Sequence, residues 1–328
     1  MTVSDRRRAA KVEWGKRRNA ADLRVGYGRS LPTTAAAATT QPMIRAAFIS
    51  CSADVERSAH LPWLAGLRER GITVDFFVPG VDVAAVEALT RAGSPVHLWT
   101  LRRDSNNPFQ LDAVLSLARA LRAHPCDIVH AFGHRANLGA ALAVPLAGRP
   151  LRVGHITGAG SIFTGEAATP SQRAARFALL NTWRLILPGI SRVLLDNVED
   201  VDLLPFAAPG LMQPTRGPGV DVQNFHRAAL DPAEITATRR SLGLADDAEV
   251  LLFAGRMIGD KGIRELVQAF RILAPRRPKL VLLLVGSPDT GNPTTLSAAE
   301  VAGFGGPSVR LIERIEDIRA ALAIADVF

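Results

Sequence analysis

The sequence predicts an α/β protein of two Rossmann-like, doubly wound domains facing each other across a cleft, with the second C-terminally truncated. Three observations lead to that fold class. The 328 residues suffice for about two domains at roughly 150 residues each. A composition of 48% hydrophobic and 21% charged residues belongs to a chain that buries a core rather than one that stays unfolded. From Met43 onward, short β-branched or apolar runs alternate with amphipathic helical segments, the pattern of βαβ units and parallel sheets, and the alternation starts afresh after a Gly/Pro-rich joint, RGPGVD at 216–221.

Residues 1–42 precede both domains. They hold nine basic residues against three acidic ones, +6 of a formal +8, and 33–41, TTAAAATTQ, is low-complexity and offers nothing to a core. A disordered basic arm is expected. Its plain reading is a solvated tail; its functional reading is contact with an anionic membrane, at about 1 kcal/mol per basic residue near such a surface. Behind the arm the chain carries 30 positive and 28 negative charges. The arm's only aromatics are Trp14 and Tyr27, so nucleic acid is not an expected partner.

The first domain, 43–216, takes its strands from IRAAFIS (44–50), TVDFFVP (73–79), VHLWTL (96–101), DIVHAF (127–132), LRVGHIT (151–157) and RVLLDN (192–197), five or six in all. Between them Leu61, Leu64 and Leu67, and then Leu111, Val114, Leu115, Ala118 and Leu121, recur at spacings that place each set on one helix face. In the second domain, 217–328, a helix (232–242) leads to the strand VLLFAG (250–255). A helix with Ile263, Leu266, Val267, Phe270 and Leu273 on one face follows, then the strand KLVLLLVG (279–286). A short helix (297–303), the strand VRLI (309–312), a helix (315–324) and ADVF (325–328), the beginning of a fourth strand, complete the chain. A full doubly wound domain has five or six strands, hence the expected truncation.

Several classes are excluded at this level. No apolar run approaches the roughly 18–20 residues of a membrane-spanning helix, and no apolar stretch of signal-peptide length follows the basic start. A cytoplasmic protein is expected, at most peripheral at the inner face of the plasma membrane. Cys51 and Cys126 are too few for a disulfide framework or a Cys-rich metal site and suit a reducing compartment. Cys51 as a nucleophile has no assignable base. No strand is followed by GxGxxG, which argues against a dinucleotide-dependent oxidoreductase.

The segment richest in chemistry is GRMIGDKG, 255–262, between a strand end and a helix start. Ligands of open α/β sheets sit at the carboxyl ends of the strands, where a helix N-terminus offers free N–H groups and partial positive charge to an anion. Gly255 and Gly262 allow close approach of backbone, and Arg256 and Lys261 add two full charges, so a diphosphate is the natural occupant. A surface loop whose Arg and Lys face water is the other reading, and spacing alone does not choose.

The neighbouring segments carry a family resemblance. GPGVDVQNF (217–225), FAGRMIGDKGIRELVQAFRIL (253–273) and LLLVGSPDTGNP (282–293) resemble successive motifs of the retaining GT-B glycosyltransferases of family 4, also called group 1. More narrowly, NLGAALAVPLAG (137–148), HITGAGSIFTG (155–165), DNVEDVDLL (196–204) and the PDTGNP turn resemble the branch that adds sugars to polyprenyl-diphosphate-linked intermediates in bacterial capsule, exopolysaccharide and O-antigen assembly. The similarity runs in order from about 44 to 328.

The resemblance implies a nucleotide-diphospho-sugar donor and a polyprenyl-diphospho-saccharide or other saccharide acceptor. It assigns the diphosphate to Arg256 and Lys261, as the catalytic cations that stabilise charge growing on the leaving nucleoside diphosphate. No metal and no cofactor are then expected. In the family the departing phosphate takes the acceptor's proton on the same face, so a protein base can be absent. Gly286 and Ser287 fall where the family binds base and ribose, or simply form a tight strand-end turn. Asp289 and Asn292 belong to the PDTGNP turn, where Asx, Gly and Pro chemistry alone would place them.

Acceptor-side candidates are Ser52, His130, His134, Thr157, Gly158 and Gly160, the last three in the loop ITGAG. Departures from the family are equally specific. Phe132 stands where many members have a sugar-contacting His, Ala159 where the branch has Leu, and Ser50-Cys51-Ser52 where a Gly-rich loop is common. The family's E-x7-E glutamates follow the strand that begins here as ADVF and are not within these residues. Little activity and a marginally stable second domain are therefore expected of the 328-residue chain. Two alternatives stay open: a non-catalytic, degenerate glycosyltransferase-like protein, and a GT-B nucleotide-sugar epimerase, against which GPGVD and GRMIGDKG favour transfer.

Overall fold

A computed structural model describes residues 43–53, 60–80, 83–101, 110–158, 163, 169–215, 217–289, 292, 294–315 and 317–328. The arm at 1–42 and Gly160 lie outside the described residues.

Strands β1 (Ile44–Ile49), β2 (Ile72–Val78), β3 (Val96–Leu98), β4 (Ile128–Phe132), β5 (Leu151–Ile156), β6 (Arg192–Leu195) and β7 (Met212–Pro214) form one sheet in the order β3-β2-β1-β4-β5-β6-β7. Every adjacent pair is parallel. Helices α1 (Trp63–Arg68), α2 (Val83–Arg91), α3 (Leu111–Ala123), α4 (His134–Ala147) and α5 (Pro170–Ile186) run between them. The central strands read as near-continuous apolar runs because both faces of a parallel sheet are covered. Ile49, Phe77 and Val129 pack with Val114, Leu117 and Leu121 of α3 and Val144 of α4. Their chain neighbours Phe48 and Phe76, with Phe132 three residues on from Val129, pack with Leu64 of α1 and Leu89 of α2. The period-2 alternation of a strand thus feeds two separate cores.

Two details differ from the sequence reading. β7 adds a seventh strand, whose three residues are too short to show a period. On α3, Leu111 and Leu115 are exposed, and Leu117 joins Val114, Ala118 and Leu121 in the core. Both apolar stripes obey helical spacing, and contact with the sheet selects one. Helix α5 starts with a capping box, in which Gln172 N donates to Thr169 Oγ1 and Thr169 N to Gln172 Oε1, with Pro170 at the first helical position.

The second sheet consists of β8 (Glu249–Ala254), β9 (Leu280–Val285) and β10 (Val309–Ile312), parallel and in the order β10-β9-β8. Helices α6 (Pro232–Ser241), α7 (Ile263–Leu273), α8 (Ala298–Ala302) and α9 (Ile318–Ile324) accompany it. On α7, Ile263, Val267 and Phe270 are buried, whereas Leu273 at the helix end is exposed. The ADVF segment makes a single parallel bridge, Leu251 to Val327, in which Leu252 N donates to Val327 O at 2.9 Å. Val327 therefore lies beside β8 on the side away from β9, as β4 lies beside β1 in the first sheet. Between the sheets, Trp63 Nε1 of α1 donates to Pro218 O of the joint at 2.8 Å. Among the described residues no helix is long and apolar enough to cross a membrane.

Candidate functional site

In a doubly wound sheet the ligand crevice opens outside the carboxyl ends of the strands where the order reverses; in the second sheet that point is the end of β8. Gly255 follows β8 and Gly286 follows β9, and the two backbones touch. Gly286 has φ +145°, and a Cβ there would stand 1.8 Å from the Gly255 carbonyl oxygen. Its own N–H donates to Ile312 O at 2.8 Å. Ser287 Oγ donates to Glu313 O at 3.2 Å, tying the ends of β9 and β10.

The two loops are laced along their length. Met257 N donates to Ser287 O at 2.9 Å, Gly259 N to Thr294 O at 2.7 Å and Leu296 N to Met257 O at 3.0 Å, with an antiparallel bridge between Ile258 and Thr295. Arg256 Nη1 meets Asp289 Oδ2 at 2.5 Å. Ala254, Gly255, Arg256, Val285, Gly286, Ser287, Pro288, Asp289, Ile315 and Ile318 line an open cavity of about 530 Å³, within the usual range of small-molecule sites. Lys261 and Gly262 do not line it. Lys261 is exposed at the end of the short 3₁₀ turn Gly259–Lys261. Gly262, left-handed at φ +71°, turns the chain into α7, which only a residue without a Cβ does cheaply.

In the first sheet the neighbours β4 and β5 and the residue just after β6 bring His130, His155 and Asp196 together. His130 Nε2 lies 3.2 Å from His155 Nδ1, and His155 Nε2 lies 3.0 Å from Asp196 Oδ1. Thr215 Oγ1 donates to the same oxygen at 3.1 Å and accepts from Gly217 N at 3.2 Å. With Asp196 ionised, His155 donates from Nε2 and accepts at Nδ1, which makes His130 Nε2 a donor. The chain of hydrogen bonds thus runs from the interior to the joint.

His130 therefore lies inside β4, not at its rim. Its ring stacks on Phe132 at 4.2 Å between centroids, and Phe132 is in turn covered by His60 at 3.9 Å. Burial, with His155 and His60 nearby, holds the His130 imidazolium pKa well below its ordinary 6.5. The unfolded chain takes up this proton near pH 6.5 and the folded chain does not. Stability is therefore fully present above that pH and falls below it, by up to about 1.4 kcal/mol per pH unit. Denaturant midpoints at pH 7.5 and 5.5 should show the loss, with a shallower dependence in His130→Gln; equal midpoints in the wild-type chain would contradict it.

The other acceptor-side candidates are scattered. His134 opens α4 and accepts at Nδ1 from Trp183 Nε1 at 3.0 Å. Ser52 donates its N–H to Ser50 Oγ at 3.2 Å in the turn after β1. Thr157 and Gly158 follow β5, Thr157 exposed and Gly158 half-buried. The sequence reading missed Asn137, whose Nδ2 donates to the carbonyls of Ala131, Gly133 and His155 at 3.0, 2.8 and 3.2 Å. It also missed His155 and Asp196 as members of one network, although their places at the ends of adjacent strands would have indicated it. Among the described residues no group of three or more His, Cys, Asp or Glu is placed to hold a metal ion.

Two parallel sheets with strand order 3-2-1 and its continuation, and a glycine-lined, basic loop at the carboxyl end of β8, define the GT-B class of fold. Residues 61–206 match the family described as glycosyl transferase 4-like domain, and residues 234–328 match glycosyl transferases group 1. The chain belongs to the group 1 glycosyltransferases. One relative, the GDP-mannose-dependent monoacylated alpha-(1-6)-phosphatidylinositol monomannoside mannosyltransferase of Corynebacterium glutamicum, is 33% identical over 112 residues, 34% of this chain and 28% of the relative. Across the curated relatives the matched segments span 13–28% of the relatives' own length.

Among solved structures, Anabaena HepE in complex with UDP and glucose superposes with a TM-score of 0.62 at 19% identity, over 86% of this chain and 72% of that one. The UDP-GlcNAc 2-epimerase of Neisseria meningitidis, bound to UDP-GlcNAc, gives 0.57 at 13% identity, over 85% and 74%. At such identities the likeness is one of fold, which transferases and epimerases share.

Proposed function

We propose that the protein transfers a sugar, with retention of configuration, from a nucleotide-diphospho-sugar bound at the cavity between Gly255 and Gly286 to a lipid-linked or other saccharide acceptor in bacterial surface polysaccharide synthesis. The observation that carries this reading is the meeting of Arg256 with two strand-end glycine backbones, Gly255 and Gly286, in one open cavity at the carboxyl ends of β8 and β9. Arg256 holds the diphosphate at the cavity and Lys261 adds a second charge from the start of α7. The nucleoside rests against Gly286 and Ser287. As the glycosidic bond to phosphate breaks, negative charge collects on the leaving diphosphate, where the two cations stabilise it; the acceptor hydroxyl oxygen bonds to the sugar carbon on the same face and its proton passes to the leaving phosphate. The acceptor enters over the strand ends of the first sheet, toward Thr157 and Gly158, with the His130–His155–Asp196 network holding those strand ends in place.

Group 1 relatives with named mannosyl- and glycosyltransferase activities, and HepE with its UDP and glucose, support the choice of a nucleotide-sugar donor. An inner-membrane-face setting agrees with the basic arm and with a lipid-linked acceptor. The test is release of nucleoside diphosphate from a panel of donors in the presence of a polyprenyl-diphospho-sugar acceptor. Release coupled to a longer saccharide is expected. Release of a free epimerised sugar would assign the site to the epimerase chemistry of its structural neighbours instead.

A further inference from the structure

The ion pair between Arg256 and Asp289 is left over by that reading, which uses Arg256 for the diphosphate and gives Asp289 only turn chemistry. Exposed ion pairs contribute little to stability, and with side chains 59% and 30% exposed this one does not earn its place by holding the fold. Its geometry is asymmetric. One guanidinium nitrogen, Nη1, takes Asp289 Oδ2 at 2.5 Å, while a guanidinium carries five N–H donors in a rigid fork. Asp289 is itself anchored: its N–H donates to Thr295 Oγ1 at 3.0 Å, and its carbonyl accepts from Asn292 N at 2.9 Å. That turn is laced to the Arg256 loop through Met257–Ser287 and Gly259–Thr294. Both residues line the same cavity.

We propose that Asp289 is a positioning residue for donor binding. Held by its own N–H on Thr295 and its carbonyl on Asn292 N, it grips one edge of the Arg256 fork, so that the remaining N–H groups face the cavity when a diphosphate arrives. The proposal rests on the reading of this cavity as the donor site. A long, exposed arginine otherwise gives up rotamer freedom on binding, and a carboxylate that has already ordered it removes part of that cost. The pair also makes Asp289 a part of the anion site rather than a mere turn residue.

The test is calorimetric titration of the 328-residue chain with UDP and GDP, and with uridine and guanosine, which lack the diphosphate. Asp289→Ala is expected to weaken the nucleoside diphosphate that binds by on the order of tenfold, the scale of loss when a binding group loses the partner that orients it. Asp289→Asn, whose amide oxygen still accepts from Arg256, should recover most of that loss. Nucleoside affinity should not move, and Asp289→Ala should add nothing in an Arg256→Ala background. A parallel fall in nucleoside affinity, an equal further loss without Arg256, or tighter diphosphate binding by Asp289→Ala would each overturn the proposal. A wild-type chain that binds neither UDP nor GDP, nor ADP or dTDP, would remove the donor reading and this proposal together, an outcome distinct from failure of Asp289 alone.

Discussion

Arg256→Ala is expected to lower sugar-transfer turnover by about 10²–10³-fold, the usual cost of removing one group aimed at charge that develops in a transition state, with a smaller change in donor KM. Lys261→Ala should act in the same direction. The diphosphate is anionic before reaction and more so as the glycosidic bond breaks, so a fixed cation binds the transition state more tightly than the substrate. Loss of such a group appears in kcat and kcat/KM together, whereas loss of uniform binding raises KM alone. Arg256→Lys keeps the charge but not the fork, and should fall between Ala and the wild type. The measurement is steady-state kinetics with the donor and acceptor that support transfer. Unchanged kinetics in both alanine variants would remove the assignment.

Gly286→Ala should produce the largest loss of stability. A Cβ would stand 1.8 Å from the Gly255 carbonyl oxygen and 2.8 Å from its carbonyl carbon, and these are backbone atoms that no rotamer change can move. The φ of +145° adds strain that L residues rarely accept. Separating the two strand ends and straining the backbone together are expected to cost roughly 3–5 kcal/mol. That corresponds to a melting temperature lower by on the order of 10 °C for a domain of this size. Gly255→Ala is the control in the same cavity wall: its Cβ would meet only the Phe253 ring, at 3.4 Å, and it should cost under about 1 kcal/mol. Thermal melts of the two variants decide the matter; equal losses would mean that the Gly255–Gly286 contact relaxes freely.

How far the sequence reached differs from one feature to the next. VRLI at 309–312 matches β10 residue for residue, and the other nine strands, apart from the three-residue β7, were visible within one or two residues except VHLWTL, whose paired part stops at Leu98. The basic, glycine-bounded loop after β8 was visible because Gly255, Arg256, Lys261 and Gly262 lie within eight consecutive residues. The Arg256–Asp289 pair was not, since its members are 33 positions apart. They meet only because β8 and β9 are parallel neighbours whose loops leave the sheet side by side. His130 could be marked as a strand-end histidine, but its direction into the sheet, its stack on Phe132 and its bond to His155 depend on strands 25 residues apart in the chain.

By itself the sequence determined what repeats locally: two rounds of strand and helix, the glycines and cations of a strand-end loop, and the charge concentrated in residues 1–42. Hydrophobic periodicity and turn chemistry act over a few residues, and they can be read there. The tertiary structure alone decided which of two equally spaced stripes of α3 faces the sheet, which histidines share protons, and which carboxylate holds Arg256. Each of these depends on the lateral order of parallel strands. Crossover connections make that order non-sequential, so residues far apart in the chain become neighbours at the carboxyl edge where the site is built.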